Sequence, residues 1–243
     1  MPMRKYEMNC SRYGTNFIRE IVNFTVSKSC PPCKMAAPMK ESNIFTRDLE
    51  RNDDKVLKLK QYETGDVGCV VWDAAIVLAK YFEAADFQYG RFWKGKKVLE
   101  LGSGTGAVGL LTANFVPLMN MNIETNKETF PDMDIKACEL KWETSIDSQQ
   151  FSNIDVVVVA DCIYYAESLK PLVQTIEDLC SSGTCVYCCY EERTTDNKPE
   201  LQRKFLELVG ERFTVEKIPL ERQDSQFSSD DIHILRFCKK DKT

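Results

Sequence analysis

A single histidine, no stripe of basic residues and no long apolar run set the first limits on what this chain does. His233 is the one histidine, and the eleven cysteines fall at no regular spacing, so a structural zinc site has no donor set. Cys30-Pro31-Pro32-Cys33 has the spacing of a metal-binding pair, yet no second pair lies nearby and structural zinc takes four ligands. No metal is expected. Cys162, Cys185, Cys188 and Cys189 sit in or beside apolar, strand-like runs, which reads as reduced thiols of an intracellular, cytoplasmic protein. A net charge of −5 without a Lys/Arg stripe argues against nucleic-acid binding as the main activity. No stretch of about 18 apolar residues exists to span a membrane as a helix. Phe17-Ile18-Arg19-Glu20-Ile21-Val22 is too interrupted by charge for a signal-peptide core, although Arg4, Lys5, Arg12 and Arg19 give the N-terminus the basic bias of a presequence. Residues 1–34 read as a poorly ordered extension. Internal repeats are also absent.

What is present is Lys97-Val98-Leu99-Glu100-Leu101-Gly102-Ser103-Gly104-Thr105-Gly106, an apolar run ending in an acid and alternate glycines. A helix is expected to open at Ala107 and run to about Phe115. Strand, glycine turn and helix N-terminus together make a nucleotide site, because glycines admit a ligand to the backbone. Gly102, Gly104 and Ala107 loosely satisfy the dinucleotide pattern G-x-G-x-x-G/A. The Glu-x-Gly-x-Gly-x-Gly spacing instead resembles motif I of the S-adenosylmethionine-dependent methyltransferases.

The other elements alternate as in a doubly wound α/β fold. Val56–Lys60 reads as a half-exposed strand of an N-terminal hairpin region, and Trp72–Phe82 as a helix. Further helices are expected at Leu118–Asn126, Leu169–Leu179 and Glu200–Val209. Strands are expected near Ile135–Leu140, at Asp155–Ala160 with both faces buried, and at Thr184–Tyr190. Phe213–Ile218 and Ile232–Cys238 read as a closing antiparallel pair, with His233 a structural residue of that sheet.

Val67-Gly68-Cys69-Val70-Val71-Trp72-Asp73-Ala74-Ala75, the glycine motif, Leu140-Lys141-Trp142, Ala160-Asp161-Cys162-Ile163-Tyr164-Tyr165 and Cys189-Tyr190-Glu191-Glu192-Arg193 follow one another in order. In this order the chain resembles the seven-strand, Rossmann-like methyltransferases, and more narrowly the methyltransferase-like protein lysine methyltransferases. The likeness spans about 48–240, taken as the methyltransferase domain. It is nearest to members that act on the AAA ATPase valosin-containing protein. It implies S-adenosylmethionine as cofactor, with Trp72, Glu100, Gly102, Ser103, Gly104, Trp142 and Ala160 around it. Trp72 would pack on the cofactor, Trp142 would lie beside the adenine, and Glu100 would accept from the cofactor's ammonium. Asp161 and Tyr164, an Asp-x-x-Tyr pair associated with lysine-directed members, would meet the substrate amine. The polar segments Asp196–Lys198 and Gln223–Asp230 are expected to frame the peptide entrance.

One departure stands out. In the family a second strand, ending in an acid that binds the ribose hydroxyls, follows the motif I helix. Here Gly109 to Ile123 carries no β-branched run to make it, so that inner strand is expected to be missing or substituted. Glu124 falls about 20 residues past the glycines, the spacing of a ribose acid, but on a helical stretch. Two charge-assisted hydrogen bonds lost without replacement would cost ~3–6 kcal/mol, on the order of 10²- to 10⁴-fold in affinity. The alternatives are therefore a cofactor-impaired member that only binds its partner, or a methyltransferase with another substrate.

Overall fold

A computed structural model of the chain describes residues 20–24, 43–63, 67–102, 104–105, 116–131, 135–137, 140, 142, 146 and 151–240. In chain order these form β1 (Glu20–Phe24), β2 (Ile44–Glu50), β3 (Val56–Tyr62), α1 (Asp73–Tyr81) and β4 (Lys97–Leu101). Then come α2 (Val116–Asn126), β5 (Ile135–Ala137), β6 (Val156–Ala160), α3 (Ala166–Leu179) and β7 (Cys185–Glu191). The chain closes with α4 (Lys198–Arg212), β8 (Phe213–Ile218) and β9 (Ile232–Lys239). Seven strands make one sheet in the order β5-β1-β4-β6-β7-β9-β8, and β2 and β3 pair as a separate antiparallel hairpin. The pairs from β5 to β7 are parallel, whereas β9 runs antiparallel to both β7 and β8.

Strand alternation divides the core into two layers. Val157 and Val159 of β6 join Leu99 and Leu101 of β4 beneath α3 and α4. Val156, Val158 and Ala160 join Val98 on the opposite face, beneath α1. All five β6 residues are buried, as a β-branched run covered on both sides by helices should be. Helix α3 turns Leu169, Leu172, Val173, Ile176 and Leu179 to the first layer at the i, i+3, i+4, i+7 spacing that makes one apolar face. Helix α4 likewise buries Leu201, Phe205 and Val209, and carries Pro199 in its first turn, where a missing N–H costs no helical bond.

The described residues between the glycine turn and β5 hold α2 (Val116–Asn126), 106–115 lying outside them, and no inner strand is among them. Its place beside β4 is taken by β1. Glu20 to Phe24 pair in register with Lys97 to Leu101, and Ile21 to Asn23 pair on the other side with Ile135 to Ala137. Five residues of the segment expected to be a poorly ordered extension are thus an interior strand of the sheet. The Cys30–Cys33 pair lies outside the described residues.

Helix α2 is joined to the hairpin by two buried asparagines one helical turn apart. Asn122 accepts from Lys60 N at 2.7 Å through Oδ1 and donates to Lys60 O at 3.1 Å through Nδ2. Asn126 does the same with Lys58, at 2.9 and 2.8 Å. The i, i+4 step along a helix, about 6 Å, matches the two-residue step along a strand, so side-chain amides satisfy alternate backbone groups of β3. Asn122 Nδ2 also donates to Thr105 O at 3.1 Å, which ties the helix to the glycine turn.

Candidate active site

The carboxyl ends of β4, β6 and β7 lie side by side, the place where open α/β sheets bind ligands. Gly102 follows β4 at φ +71°. A Cβ there would stand 2.2 Å from the Cys162 sulfur and 3.5 Å from the Trp142 ring. Gly104, at φ +53°, presses its backbone on Gly68, where an added Cβ would meet the backbone at 3.1 Å. Both positions therefore demand glycine for space as well as for conformation. Ser103 lies outside the described residues.

The Cys162 thiol connects β4 to the end of β6. It lies 3.4 Å from Leu101 O, 3.5 Å from Gly102 O and 3.3 Å from Ala160 O. Burial pushes this thiol well above its ordinary pKa, with the charges of Asp161 and Glu100 adding to the effect, so it is a packing group and not a nucleophile. Glu100 is fully buried on β4. Trp142 is buried against Gly102, its carbonyl accepts from Thr175 Oγ1 at 3.0 Å, and its indole Nε1 has no acceptor among the described residues. Such a buried donor next to a glycine turn suits a ligand that brings an acceptor.

Asp161 follows directly on Ala160 at φ 50°, the left-handed region that Asp tolerates better than most residues. Its N–H donates to Cys189 O at 2.8 Å. Its carboxylate accepts from Arg193 Nη2 at 2.6 Å and, more weakly, from Glu191 N at 3.5 Å. Burial pushes the carboxyl pKa up, while the Arg193 guanidinium and the Glu191 N–H pull it back. Helix α3 begins at Ala166 with Tyr165 at its cap, so Asp161 is not a helix cap. Tyr164 lies in the connection between the two, its ring edge-on to Tyr165 at 4.8 Å. Lys198 Nζ donates to the Tyr164 carbonyl at 2.9 Å, which places the expected entrance segment Asp196–Lys198 beside it. In the other expected entrance segment, Gln223 is buried and donates to Ile218 O, and Phe227 covers Lys80 of α1.

Trp72, at the cap of α1, is exposed, and the Arg193 guanidinium lies over its ring at 5.0 Å. Arg193 thus joins Trp72 to Asp161, a role its place in the Glu191-Glu192-Arg193 motif does not announce. It is visible only once β6 and β7 are paired, because Ala160 and Cys189 are register partners. His233 is a sheet residue, held by Glu192 at 2.5 Å and edge-on to Tyr190. Glu124 lies on α2 and forms an exposed ion pair with Lys127 at 2.6 Å.

The chain is 31% identical over 185 residues to protein N-lysine methyltransferase METTL21A of Danio rerio, covering 71% of this chain and 78% of that one. It is 28% identical to METTL21A of Mus musculus, covering 72% and 79%. It is 32% identical to EEF1A lysine methyltransferase 3 of Xenopus tropicalis, covering 54% and 62%. Residues 51–212 match the family model described as lysine methyltransferase, and with the strand-end site this shows that the chain belongs to that family.

Proposed function

We propose that this chain transfers methyl groups from S-adenosylmethionine to a lysine side chain of a protein, and that its substrate is the AAA ATPase valosin-containing protein. The observation that carries the lysine reading is the buried Asp161 carboxylate, which already holds a cation at the strand end beside the glycine turn. Gly102 and Gly104 give backbone approach to the cofactor's amino-acid end, Glu100 offers its ammonium an acceptor, and Trp142 bounds the adenine side. S-adenosylmethionine supplies a methyl group on a sulfonium, which a neutral amine accepts by in-line displacement. Asp161 accepts from the incoming ammonium, and Tyr164 offers it a π face. Both side chains are partly buried, which limits the water around the amine and helps to orient it, and orientation can supply about 7–11 kcal/mol of such a barrier. The proton leaves to solvent before transfer, because a protonated amine has no lone pair. The substrate itself rests on the motif resemblance; the relatives' names support a protein lysine, not this particular protein.

The test is mass spectrometry of the purified ATPase after incubation with this chain and S-adenosylmethionine. Methyl-lysine is expected, and Asp161→Asn is expected to lower kcat/KM about 10²-fold or more. Methylation confined to another protein would move the substrate, and no methyl-lysine on any protein would end the lysine reading. A second reading, a partner-binding protein with weak cofactor affinity, is favoured by one observation. Glu124, the carboxylate at the sequence spacing of a ribose acid, is exposed on α2 and paired with Lys127. Titration with S-adenosylhomocysteine separates the two: micromolar binding supports the enzyme, millimolar binding the weak-cofactor form.

A further inference from the structure

The charged groups at the end of β6 have an arrangement that catalysis alone does not require. Arg193 Nη2 bonds Asp161 Oδ2 at 2.6 Å, and the same guanidinium bonds Glu191 Oε2 through Nη2 at 3.0 Å and Nε at 3.2 Å. Its central carbon lies over the Trp72 ring, 5.0 Å from the ring centre. A pair of carboxylate acceptors with an aromatic face is the set of groups that binds an alkylammonium. Here a cation of the chain itself fills it.

We propose that Arg193 is an internal occupant of the substrate-ammonium subsite, which an incoming lysine must displace from Asp161 and Trp72. The proposal rests on lysine being the acceptor. Three features support displacement over permanent anchoring. The Arg193 side chain is only partly buried, 27% exposed against 10% for Asp161, so it has solvent to swing into. The Asp161 backbone is held without it, its N–H donating to Cys189 O at 2.8 Å. The other carboxylate, Glu191, is 37% exposed and can keep the guanidinium after Asp161 is released. An ammonium on a flexible stem that pairs well with Asp161 pulls Arg193 away; a cation that reaches only Glu191 does not. The device thus favours acceptors that enter the buried end of the site, and it lowers affinity for free amines.

The inference is tested by binding rather than turnover. N-acetyl-lysine methylamide is titrated into the full chain at pH 8.5, followed by the NMR signals of the tryptophan indole N–H groups. Arg193→Gln is expected to bind this probe roughly tenfold more tightly than the parent, the value of one charge-assisted hydrogen bond no longer displaced. Arg193→Lys, which keeps an internal cation, is expected to bind like the parent. Added methylguanidine should compete with the probe in Arg193→Gln and slow its methylation of protein lysine. Equal or weaker binding in Arg193→Gln, or rescue of its activity by methylguanidine, would overturn the proposal and make Arg193 a positioning residue. If the parent methylates no lysine, the lysine reading fails, while the binding comparison still reports who occupies the site. A melt and an S-adenosylhomocysteine titration of each variant confirm that both fold.

Discussion

Gly102 shows how little room the strand-end site leaves. Its backbone sits at φ +71° with the Cys162 sulfur where a methyl group would go. Gly102→Ala is expected to cost about 1–2 kcal/mol in stability from conformation and crowding together, and to weaken S-adenosylhomocysteine binding by at least tenfold. Adding Cys162→Ala to that variant removes the clash but not the positive φ, so it should recover part of the melting temperature and not all. Calorimetry and a thermal melt of the three variants check both. At this scale the sequence is most legible where chemistry dictates the residue type: Gly102 and Gly104 follow β4, and Asp161 follows β6, as expected. Arg193 escapes such reading because its importance comes from lying across a sheet register from Asp161 and over a helix cap more than a hundred residues earlier.

Elements were readable where one face or both faces are apolar over enough residues. The all-buried β6 and the striped α3 and α4 are examples, with boundaries within a few residues of expectation. Strand β1 was not, since Glu20-Ile21-Val22-Asn23-Phe24 is short and opens on a charge directly after Arg19, and only the place beside β4 gives it a partner. Being paired on both sides, β1 cannot accept proline without losing a ladder bond. Val22→Pro is therefore expected to destabilise the chain by ~3 kcal/mol or more, read as a lower urea midpoint. An unchanged midpoint would show that the sheet closes without β1. Helix α2 depends on polar fit more than on apolar burial. Asn122→Ala leaves the Lys60 backbone groups and Thr105 O without their amide, which should cost about 2–3 kcal/mol. Because Thr105 belongs to the glycine turn, the same variant should weaken cofactor binding, whereas Asn126→Ala should lower the melt alone.

Over the whole molecule, acid lability follows from carboxylates held ionised by the fold. Burial pushes the pKa of Asp86 up, but hydrogen bonds from Tyr81 and Arg222 outweigh it and the net shift is downward from 3.8. At Asp155, burial is likewise outweighed by bonds from Lys97 N and Lys96. Hydrogen bonds from Arg222 and Arg236 lower Glu216 from 4.5. A carboxylate with a depressed folded pKa adds stability above its unfolded value and forfeits it as pH falls through the folded one. The melting temperature should hold down to about pH 4.5 and then fall steadily, and Asp155→Asn should flatten that fall. The arrangement of the sheet also sets an order of events in time. A chain made from its N-terminus releases β1 first, yet the backbones it pairs with begin at Lys97 and Ile135. At roughly 5–20 residues per second, those partners emerge several seconds later. An interior strand that must wait for both neighbours is a late closure of the sheet, and until then the nascent chain carries an unpaired strand and an open parallel edge for chaperones to guard.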